Sequence, residues 1–347
     1  MNIHTLRNLV GKTELKKQLA EENFKRITLS FYRYTKIDKP EEFRNELFQK
    51  WQKLNIFGRI YIATEGINAQ LSVPETNLDK FKEQLEEDFP QMPLKIAVED
   101  DGKSFYKLCI KTKEKIVADG LDDKTFDSSN VGKHLTAEEF NQEIDKGAIV
   151  VDMRNHYESE IGHFQNAICP DADTFREELP MVKKELDEKK HKKILLYCTG
   201  GIRCEKASAY LKHHGFKDVN QLHGGIIDYA RQIKAQKITS KFKGKNFVFD
   251  ERIAEKISDE IISKCHQCGN DCDTHTNCAN ADCHLLFIQC EDCAEKLSAC
   301  CTKKCQEIST LSPEEQKTLR SGQNKKDCLS VYKSRLRPKL SEISNIS

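Results

Sequence analysis

The sequence predicts a multidomain chain of mixed α/β and α+β class, with three units in succession. Its 347 residues exceed the length of one ordinary small domain, so two or three units are expected. Alternating strand and helix patterns occupy the chain up to about residue 235, and ten cysteines follow within residues 265–305. Basic residues (56) nearly balance acidic residues (55), so the overall charge by itself predicts no partner.

The first unit, residues 20–120, is predicted to be a ferredoxin-like sandwich. Two amphipathic helices alternate with runs of β-type residues, and the first helix begins at Pro40, a residue favoured at helix starts. The resulting order β-α-β-β-α-β is that of a ferredoxin-like sandwich. The elements are predicted at 27–34 (strand), 40–55 (helix), 58–73 (two strands), 76–89 (helix), 95–98 and 107–110 (strands).

Three aromatic residues of the first strand raise the question of nucleic-acid binding. The open face of such a sheet can bind RNA through aromatic residues, and Phe31, Tyr32 and Tyr34 are candidates for stacking on bases. Aromatic residues of strands more often fill the core or the sheet surface, so the sequence favours that interpretation.

Two polar segments are predicted to separate the units. Residues 118–133 are rich in Asp, Ser and Gly and predict a linker. Thr136 and Glu139 then form a capping-box pattern at the start of the second unit, residues 133–235. The lysine-rich segment 234–245 is predicted to be a further linker or a surface arm.

The segment KKILLYCTGGIRCEKAS, residues 192–208, carries the candidate catalytic thiol. A β-type run ends on Cys198, the loop Thr199-Gly200-Gly201-Ile202 leads to Arg203, and a helix-forming segment follows. Backbone N–H groups, a helix N-terminus and a guanidinium each favour the anion, so a lowered pKa is expected for the Cys198 thiol. The alternative is an inert cysteine that ends a buried strand.

The loop is similar to that of rhodanese domains, where it holds a sulfur atom as a persulfide. Four residues separate Cys198 from Arg203, one fewer than in the loop of cysteine-dependent phosphatases. Residues 149–170 and 219–233 resemble further motifs of the same domain. The second unit is therefore expected to be a rhodanese-like catalytic domain, with helices on both faces of a parallel sheet. Asp152 and Arg154 are expected to form an internal ion pair.

The third unit, residues 246–340, is predicted to be a cysteine-rich zinc module with a basic tail. The pairs Cys265/Cys268 and Cys290/Cys293 each have the two-residue gap that lets two thiolates bind one tetrahedral ion. Structural zinc is favoured over a redox role or an iron–sulfur cluster. Six further cysteines leave several pairings open for a second site, namely Cys272, Cys278, Cys283, Cys300, Cys301 and Cys305.

The C-terminal tail is basic, with ten Lys or Arg and four Asp or Glu between Lys303 and Lys339. It is either a solvated end or an arm for a nucleic-acid backbone. No apolar run is long enough to span a membrane, and the first residues lack the apolar core of a signal peptide. A cytoplasmic protein without a membrane partner is therefore expected.

The order of the three units resembles the bacterial tRNA uridine hydroxylase family over residues 20–335. The motifs concerned are GRIYIATEGINAQLS, CTGGIRCEKA and CHQCGNDCDTHTNCANADCHLLFIQC. The resemblance implies hydroxylation of the wobble uridine of tRNA at C5 to 5-hydroxyuridine, with molecular oxygen as co-substrate. It further implies that Cys198 is the catalytic cysteine, acting through a persulfide, and it leaves Cys204 a supporting role. The electron donor and the oligomeric state stay open.

Two other functions are compatible with the same residues. A rhodanese-type sulfurtransferase would carry persulfide sulfur on Cys198, with tRNA among the possible acceptors. A zinc-stabilised RNA-binding protein would need no reactive loop, so the intact Cys198 and Arg203 count against it. Neither composition nor spacing indicates oxygen chemistry, because no two-His-one-carboxylate iron motif and no nucleotide-binding glycine motif is present.

Overall fold

The computed structural model describes residues 10–122 and 125–322, and its first unit is a sheet with two helices on one face. The strand order is β4-β1-β3-β2-β5, with antiparallel pairing throughout except that β5 lies parallel to β2 at the edge. The first four strands have the ferredoxin-like order, so that prediction is confirmed. The elements are α1 (Lys12–Glu21), β1 (Arg26–Tyr34), α2 (Pro40–Lys53), β2 (Phe57–Ala63), β3 (Gly66–Pro74), α3 (Leu78–Asp88), β4 (Lys95–Ile96) and β5 (Leu108–Thr112).

The two faces of this sheet differ in what they contact. Leu29 and Phe31 of β1 join the core beneath α2 and α3, where the ring of Trp51 packs against Phe31 at 6.4 Å between centroids. The intervening residues of β1, among them Tyr32, point to the opposite face. That face is covered by the second unit, since the Tyr32 hydroxyl donates a hydrogen bond to Glu205 at 2.9 Å.

The second unit is a parallel sheet in the order β6-β10-β9-β7, with helices on both faces as predicted. Alternate residues of β9 face opposite layers: Ile194 packs with α6 and α7, and Leu195 with α4 and α8. The elements are β6 (Lys133–Leu135), α4 (Ala137–Asp145), β7 (Ile149–Asp152), α5 (His156–Ser159), β8 (Gly162–Phe164), α6 (Phe175–Glu185), β9 (Lys193–Tyr197), α7 (Ile202–His213), β10 (Asp218–Leu222) and α8 (Gly225–Gln236).

Two local predictions in this unit are confirmed. Thr136 and Glu139 form the expected capping box at the start of α4. Asp152 and Arg154 form a fully buried ion pair with a shortest N–O distance of 2.6 Å. Because Arg154 also donates to the Gly162 carbonyl at 2.5 Å, the pair holds β7 and β8 together.

The segment 234–245 is not a linker or a surface arm, and that prediction was wrong. Helix α8 extends into it, and β11 (Phe242–Phe247) pairs with β8 on one side and β12 (Ala254–Lys256) on the other. Buried and partly exposed residues alternate along β11, as in a half-buried strand, although the lysines make the segment polar overall. Phe242 is buried among the aromatic rings around Phe164, while its lysine neighbours point outward. Strand β11 therefore connects the second and third units.

The predicted linker 118–133 packs closely against the rest of the chain over its described residues. Asp119 is fully buried there and accepts a hydrogen bond from the ammonium of Lys115. A second ammonium, that of Lys206, lies 3.8 Å from the same carboxylate. The segment is thus anchored to the second unit through a buried charge.

The third unit is small and is organised around its cysteines. Its remaining elements are β13 (His275–Asn277), β14 (Leu286–Ile288), α9 (Glu291–Leu297), α10 (Lys303–Ser309) and α11 (Pro313–Gly322). Most of the predicted basic tail, residues 323–347, lies outside the described residues. Within the described part of the chain, none of the helices combines the length and apolar character needed to cross a membrane.

Candidate active site and metal centres

Cys198 lies at the carboxyl end of β9, at the base of a loop that backbone groups hold in place. The N–H of Gly201 donates to the Cys198 sulfur at 3.1 Å. From α8, the N–H of Ile226 donates to the Cys198 carbonyl at 3.0 Å. Gly225 comes so close that a Cβ there would lie 2.6 Å from the carbonyl oxygens of Cys198 and Thr199. The glycine pair at the start of α8 therefore lets that helix fix the loop.

The environment of Cys198 favours its thiolate. Burial raises the pKa of the thiol. Three opposing effects lower it by more, so that the net pKa is about 6: the hydrogen bond with the Cys204 thiol, the charge of Arg203, and the backbone N–H groups of Cys204 and Arg203. The direction agrees with the sequence-based expectation. Burial and the neighbouring Cys198 thiolate hold the pKa of Cys204 well above its usual value, so Cys204 remains a protonated donor.

Arg203 has a carboxylate partner that the sequence did not suggest. Its guanidinium donates to both oxygens of the buried Glu158, at 2.7 and 2.8 Å, and the Thr199 hydroxyl donates to the same carboxylate at 3.3 Å. Arg203 thus stabilises the loop through its ion pair with Glu158, and it also lowers the pKa of Cys198. A second carboxyl group, that of Glu178, is buried without a hydrogen-bond partner among the described residues, and burial raises its pKa well above the usual range.

A cavity of about 650 Å³ lies between part of the loop and the first unit. Its floor includes Cys198, and its roof is the polar face of the first sheet. The lining residues include, from the loop, Cys198, Thr199, Gly200, Ile202 and Arg203; from the sheet, Thr28, Ser30, Tyr32, Asn68, Gln70 and Lys95; and, from the segment after β11, Phe249, Asp250 and Arg252.

Gly201 is the loop residue at which the two units meet. Its φ of +97° is in the left-handed region, and a Cβ at this position would lie 2.9 Å from the Tyr32 hydroxyl. Only glycine therefore combines the required backbone conformation with this close approach. Tyr32 lies at the junction of the units, whereas Phe31, another candidate for stacking on bases, is in the core of the first unit.

The four cysteines predicted to form one metal site lie together. The sulfur atoms of Cys265, Cys268, Cys290 and Cys293 all lie within 4.8 Å of one another, and those of Cys268 and Cys290 are 3.6 Å apart. A tetrahedral zinc ion with Zn–S bonds of about 2.3 Å requires sulfur atoms about 3.8 Å apart. The group therefore has the spacing that a tetrahedral ion needs.

A second group of four cysteines lies together, and it decides which of the six remaining cysteines could share a second ion. It consists of Cys278, Cys283, Cys301 and Cys305, whose sulfur atoms also lie within 4.8 Å of one another. The sulfur of Cys301 is 3.6 Å from that of Cys283 and 3.7 Å from that of Cys305. These distances again fit a tetrahedral ion. Cys272 and Cys300 belong to neither group.

Comparison with known proteins assigns each part of the chain. Family models match in three stretches, a UPF0176 acylphosphatase-like domain at 26–116, a rhodanese-like domain at 136–232 and a rhodanese C-terminal domain at 243–306. A tRNA uridine(34) hydroxylase of Leptospira interrogans is 59% identical, over 97% of this chain and 93% of that protein. A protein of the same name from Pectobacterium atrosepticum is 56% identical, over 91% of this chain and 90% of its own length. The chain belongs to the tRNA uridine(34) hydroxylase family.

For this member of the tRNA uridine(34) hydroxylase family, sequence motifs located the reactive loop but not the groups around it. Glu158 stands in a motif noted in the sequence, but nothing in the spacing indicated that it pairs with Arg203. The sequence favoured a core or sheet-surface position for Tyr32 over base stacking and gave no sign of its contact with Glu205. It gave no indication of a role for Lys95. Each of these three side chains acts across a long sequence separation, which local patterns do not encode.

Proposed function

We propose that this chain hydroxylates the wobble uridine of tRNA at C5, giving 5-hydroxyuridine, with molecular oxygen as co-substrate and Cys198 as the reacting sulfur. The observation that carries the proposal is a thiolate-forming cysteine on the floor of a cavity, in a chain with relatives named for this activity. The polar sheet face opposite the sulfur supports a nucleotide as the occupant.

The size and position of the cavity suit a single nucleotide. Its volume of about 650 Å³ falls within the roughly 300–1,000 Å³ typical of small-molecule sites. A base enters such a site only after it leaves its neighbours in the stack, which costs least in a single-stranded loop. The anticodon loop meets this requirement. We therefore infer that the wobble base enters the cavity while the rest of the tRNA stays outside.

Within the cavity, Cys198 is the nucleophile. In this proposal its sulfur adds to C6 of the uracil, which raises the electron density at C5, the carbon that receives the hydroxyl group. The loop suits a persulfide on Cys198 as well as a thiolate, because the N–H of Gly201 and the start of α7 favour an anionic sulfur. Molecular oxygen supplies the hydroxyl oxygen when it is bound.

The third unit is proposed to hold two structural zinc ions, one in each group of four cysteines. Thiolate ligands alone, in a closed tetrahedral arrangement, are typical of structural zinc. Such sites contribute directly to folding, because the unfolded chain lacks the preformed ligand set. Zinc analysis of the purified protein should give two ions per chain. The variant Cys272→Ser should retain both, since this residue belongs to neither group.

The substrate also suggests the location and the wider RNA contacts. A protein that acts on tRNA is proposed to work in the cytoplasm, without a membrane partner. Basic segments are suited to phosphate contacts outside the cavity. Most of the basic tail identified in the sequence lies outside the described residues, so its part in RNA binding rests on its charge alone.

The test is nucleoside mass spectrometry on total tRNA from cells that lack this gene and any parallel route to 5-hydroxyuridine. Complementation with the wild-type chain should restore the nucleoside, and Cys198→Ala should not. Cys109→Ala is the matched control, since this free cysteine lies on β5, away from the loop, and should restore the nucleoside. Restoration by Cys198→Ala would remove the proposed role of the sulfur, and failure of the wild-type chain would remove the proposed activity.

A sulfurtransferase is the second candidate, because the loop around Cys198 suits a persulfide equally well. The same experiment separates the two activities. Thiolated nucleosides would fall in the deletion strain, and 5-hydroxyuridine would stay constant, if the chain transferred sulfur. The position of Cys198 favours the hydroxylase, because this buried residue lines a nucleotide-sized cavity under the first sheet rather than an open surface.

A further inference from the structure

Lys95, at the start of β4, extends into the cavity that contains Cys198. It pairs with Ser30 of β1, and both residues line the cavity roof. Lys95 is only 7% exposed, and its ammonium nitrogen lies 4.4 Å from the centroid of the Tyr32 ring. Within residues 10–122 and 125–322, the ammonium has neither a hydrogen-bond acceptor nor a carboxylate within ion-pair distance.

Lys206, another buried lysine at the junction of the units, shows the usual arrangement. Its ammonium donates to Glu65 at 2.7 Å and lies 3.8 Å from Asp119. A buried charge without a partner is unfavourable, so buried lysines are normally paired in this way. The contrast indicates that the partner of Lys95 is a group that enters the cavity.

We propose that the Lys95 ammonium binds an anionic oxygen of the target nucleotide and so places the uracil ring against Cys198. The inference rests on the proposed function and extends it to a substrate-binding residue. Two oxygens of the nucleotide have the required chemistry, a phosphate oxygen next to the wobble base and O4 of the uracil. Either one would complete the ion pair that the protein leaves open.

The uracil oxygen becomes anionic through the proposed attack by Cys198. When the sulfur adds to C6, an S–C6 bond forms from the sulfur lone pair. The π pair of the C5–C6 bond then forms a double bond between C5 and C4, and the C4–O4 π pair moves onto O4. The product is an enolate with its charge on O4. A cation on the opposite side of the cavity stabilises this charge, and no electron is gained or lost in the step.

The groups that face Lys95 keep it charged near neutral pH. Burial lowers its pKa, and the negative charges of Cys198 on the loop, Asp228 on α8 and Glu205 on α7 raise it, with a net value of about 8. On β1, the Tyr32 ring adds a cation–π contact. The ammonium is therefore mostly protonated at pH 7, and its attraction for the anionic oxygen should weaken as the pH rises above about 8.

The experiment compares the variants Lys95→Met and Lys95→Arg with the wild-type chain. Lys111→Met is the matched control, because Lys111 is an exposed lysine on β5 of the same sheet. The probe is an anticodon stem-loop RNA with uridine at the wobble position, and its Kd is measured over a series of salt concentrations. The 5-hydroxyuridine content of tRNA from complemented deletion cells is measured in parallel.

Lys95→Met should either weaken RNA binding or reduce the 5-hydroxyuridine content by about 10- to 100-fold, the range for a lost hydrogen bond to a charged group. If the partner is a phosphate, the Kd rises and the salt dependence weakens by about one phosphate contact. If the partner is O4, the Kd is unchanged and the 5-hydroxyuridine content falls. In either case Lys95→Arg, which keeps the positive charge, should show nearly wild-type values in both readouts. A purely structural role of the lysine would not predict this rescue by charge.

The inference is overturned if Lys95→Met equals the wild-type chain and Lys111→Met in both readouts. It is equally overturned if Lys95→Arg is as defective as Lys95→Met. A melting curve verifies that each variant folds, and Lys95→Gln replaces the methionine variant if that one does not. Should the wild-type chain fail to restore 5-hydroxyuridine, the proposed function fails, and the binding series alone decides for or against Lys95.

Discussion

Replacing Glu158 by glutamine removes the negative partner of Arg203 next to the reactive loop. The Glu158 side chain is fully buried and that of Arg203 is 11% exposed, so water can replace the lost carboxylate only in part. The wild-type pair has two short contacts, at 2.7 and 2.8 Å. Loss of one partner from such a buried pair costs about 3–5 kcal/mol in the free energy of unfolding.

The same substitution should shift the titration of Cys198. Arg203 lowers the pKa of this thiol. The negative charge of Glu158, which is bound to the same guanidinium, is expected to oppose part of that effect. In Glu158→Gln the positive charge of Arg203 is no longer offset by a neighbouring carboxylate. The pKa of Cys198 should therefore fall below its wild-type value of about 6. The variant thus becomes less stable while its sulfur becomes easier to deprotonate.

Two measurements test these expectations. Denaturant unfolding followed by circular dichroism gives the change in stability, and thiolate absorbance over a pH series, corrected with the matching Cys198→Ala protein, gives the pKa. Glu138→Gln is the control, because this glutamate is exposed on α4. The double variant Glu158→Gln/Arg203→Met should lose less stability than the two single variants together, since no charge is then left without its partner.

The reasoning fails if Glu158→Gln unfolds within about 0.5 kcal/mol of the wild-type chain, the range of ordinary surface substitutions. It also fails if the pKa of Cys198 rises in that variant. The first result would mean that the ion pair does not hold the loop. The second would mean that the charge of Arg203 does not reach the sulfur.

Three further predictions concern the loop and the third unit. Cys204→Ala removes a thiol that hydrogen-bonds Cys198, so the pKa of Cys198 should rise above about 6, as measured by thiolate absorbance. Gly225→Ala places a methyl group 2.6 Å from two loop carbonyl oxygens, so 5-hydroxyuridine formation should fall by at least an order of magnitude and the melting temperature should decrease. Cys283→Ser should reduce the zinc content from two ions per chain to one and lower the melting temperature, as measured by metal analysis and a thermal scan.

Each of the three has a distinct refutation. An unchanged pKa of Cys198 in Cys204→Ala would show that the second thiol does not support the thiolate. Gly215→Ala is the control for Gly225→Ala, because Gly215 also has a positive φ, but a methyl group added there would meet no other atom within 4 Å. Equal loss of activity in both glycine variants would assign the effect to backbone strain alone. Two zinc ions in Cys283→Ser would remove that residue from the ligand set.

The elements that the sequence predicted correctly depend on short-range patterns. The strand before Cys198 and the helix after it follow from hydrophobic periodicity and loop composition, and the capping box follows from the spacing of Thr136 and Glu139. Cysteine pairs with two residues between their members likewise indicated the first metal site. In each case the residues that define the feature lie within a few positions of one another.

The elements that were missed depend on packing between distant parts of the chain. Glu158 and Arg203 lie 45 positions apart, and Tyr32 and Glu205 lie 173 positions apart. Strand β11 was hidden because lysines alternate with its buried residues, which lowered the apparent hydrophobicity of a half-buried strand. The second group of cysteines needed coordinates, because six candidates allow many sets of four.

The enclosure of Cys198 has a consequence for what this sulfur can meet in the cell. Cys198 is 0% exposed, and the cavity that it lines has walls from the first sheet, the loop and the segment after β11. Peroxides, soft metal ions and free thiols reach such a sulfur only through the cavity, so the shape of the cavity limits unwanted chemistry as well as admitting the substrate. A rhodanese-like domain cut away from its neighbours would lose this protection. Protection of the sulfur thus depends on all three units, because each of them contributes residues to the cavity.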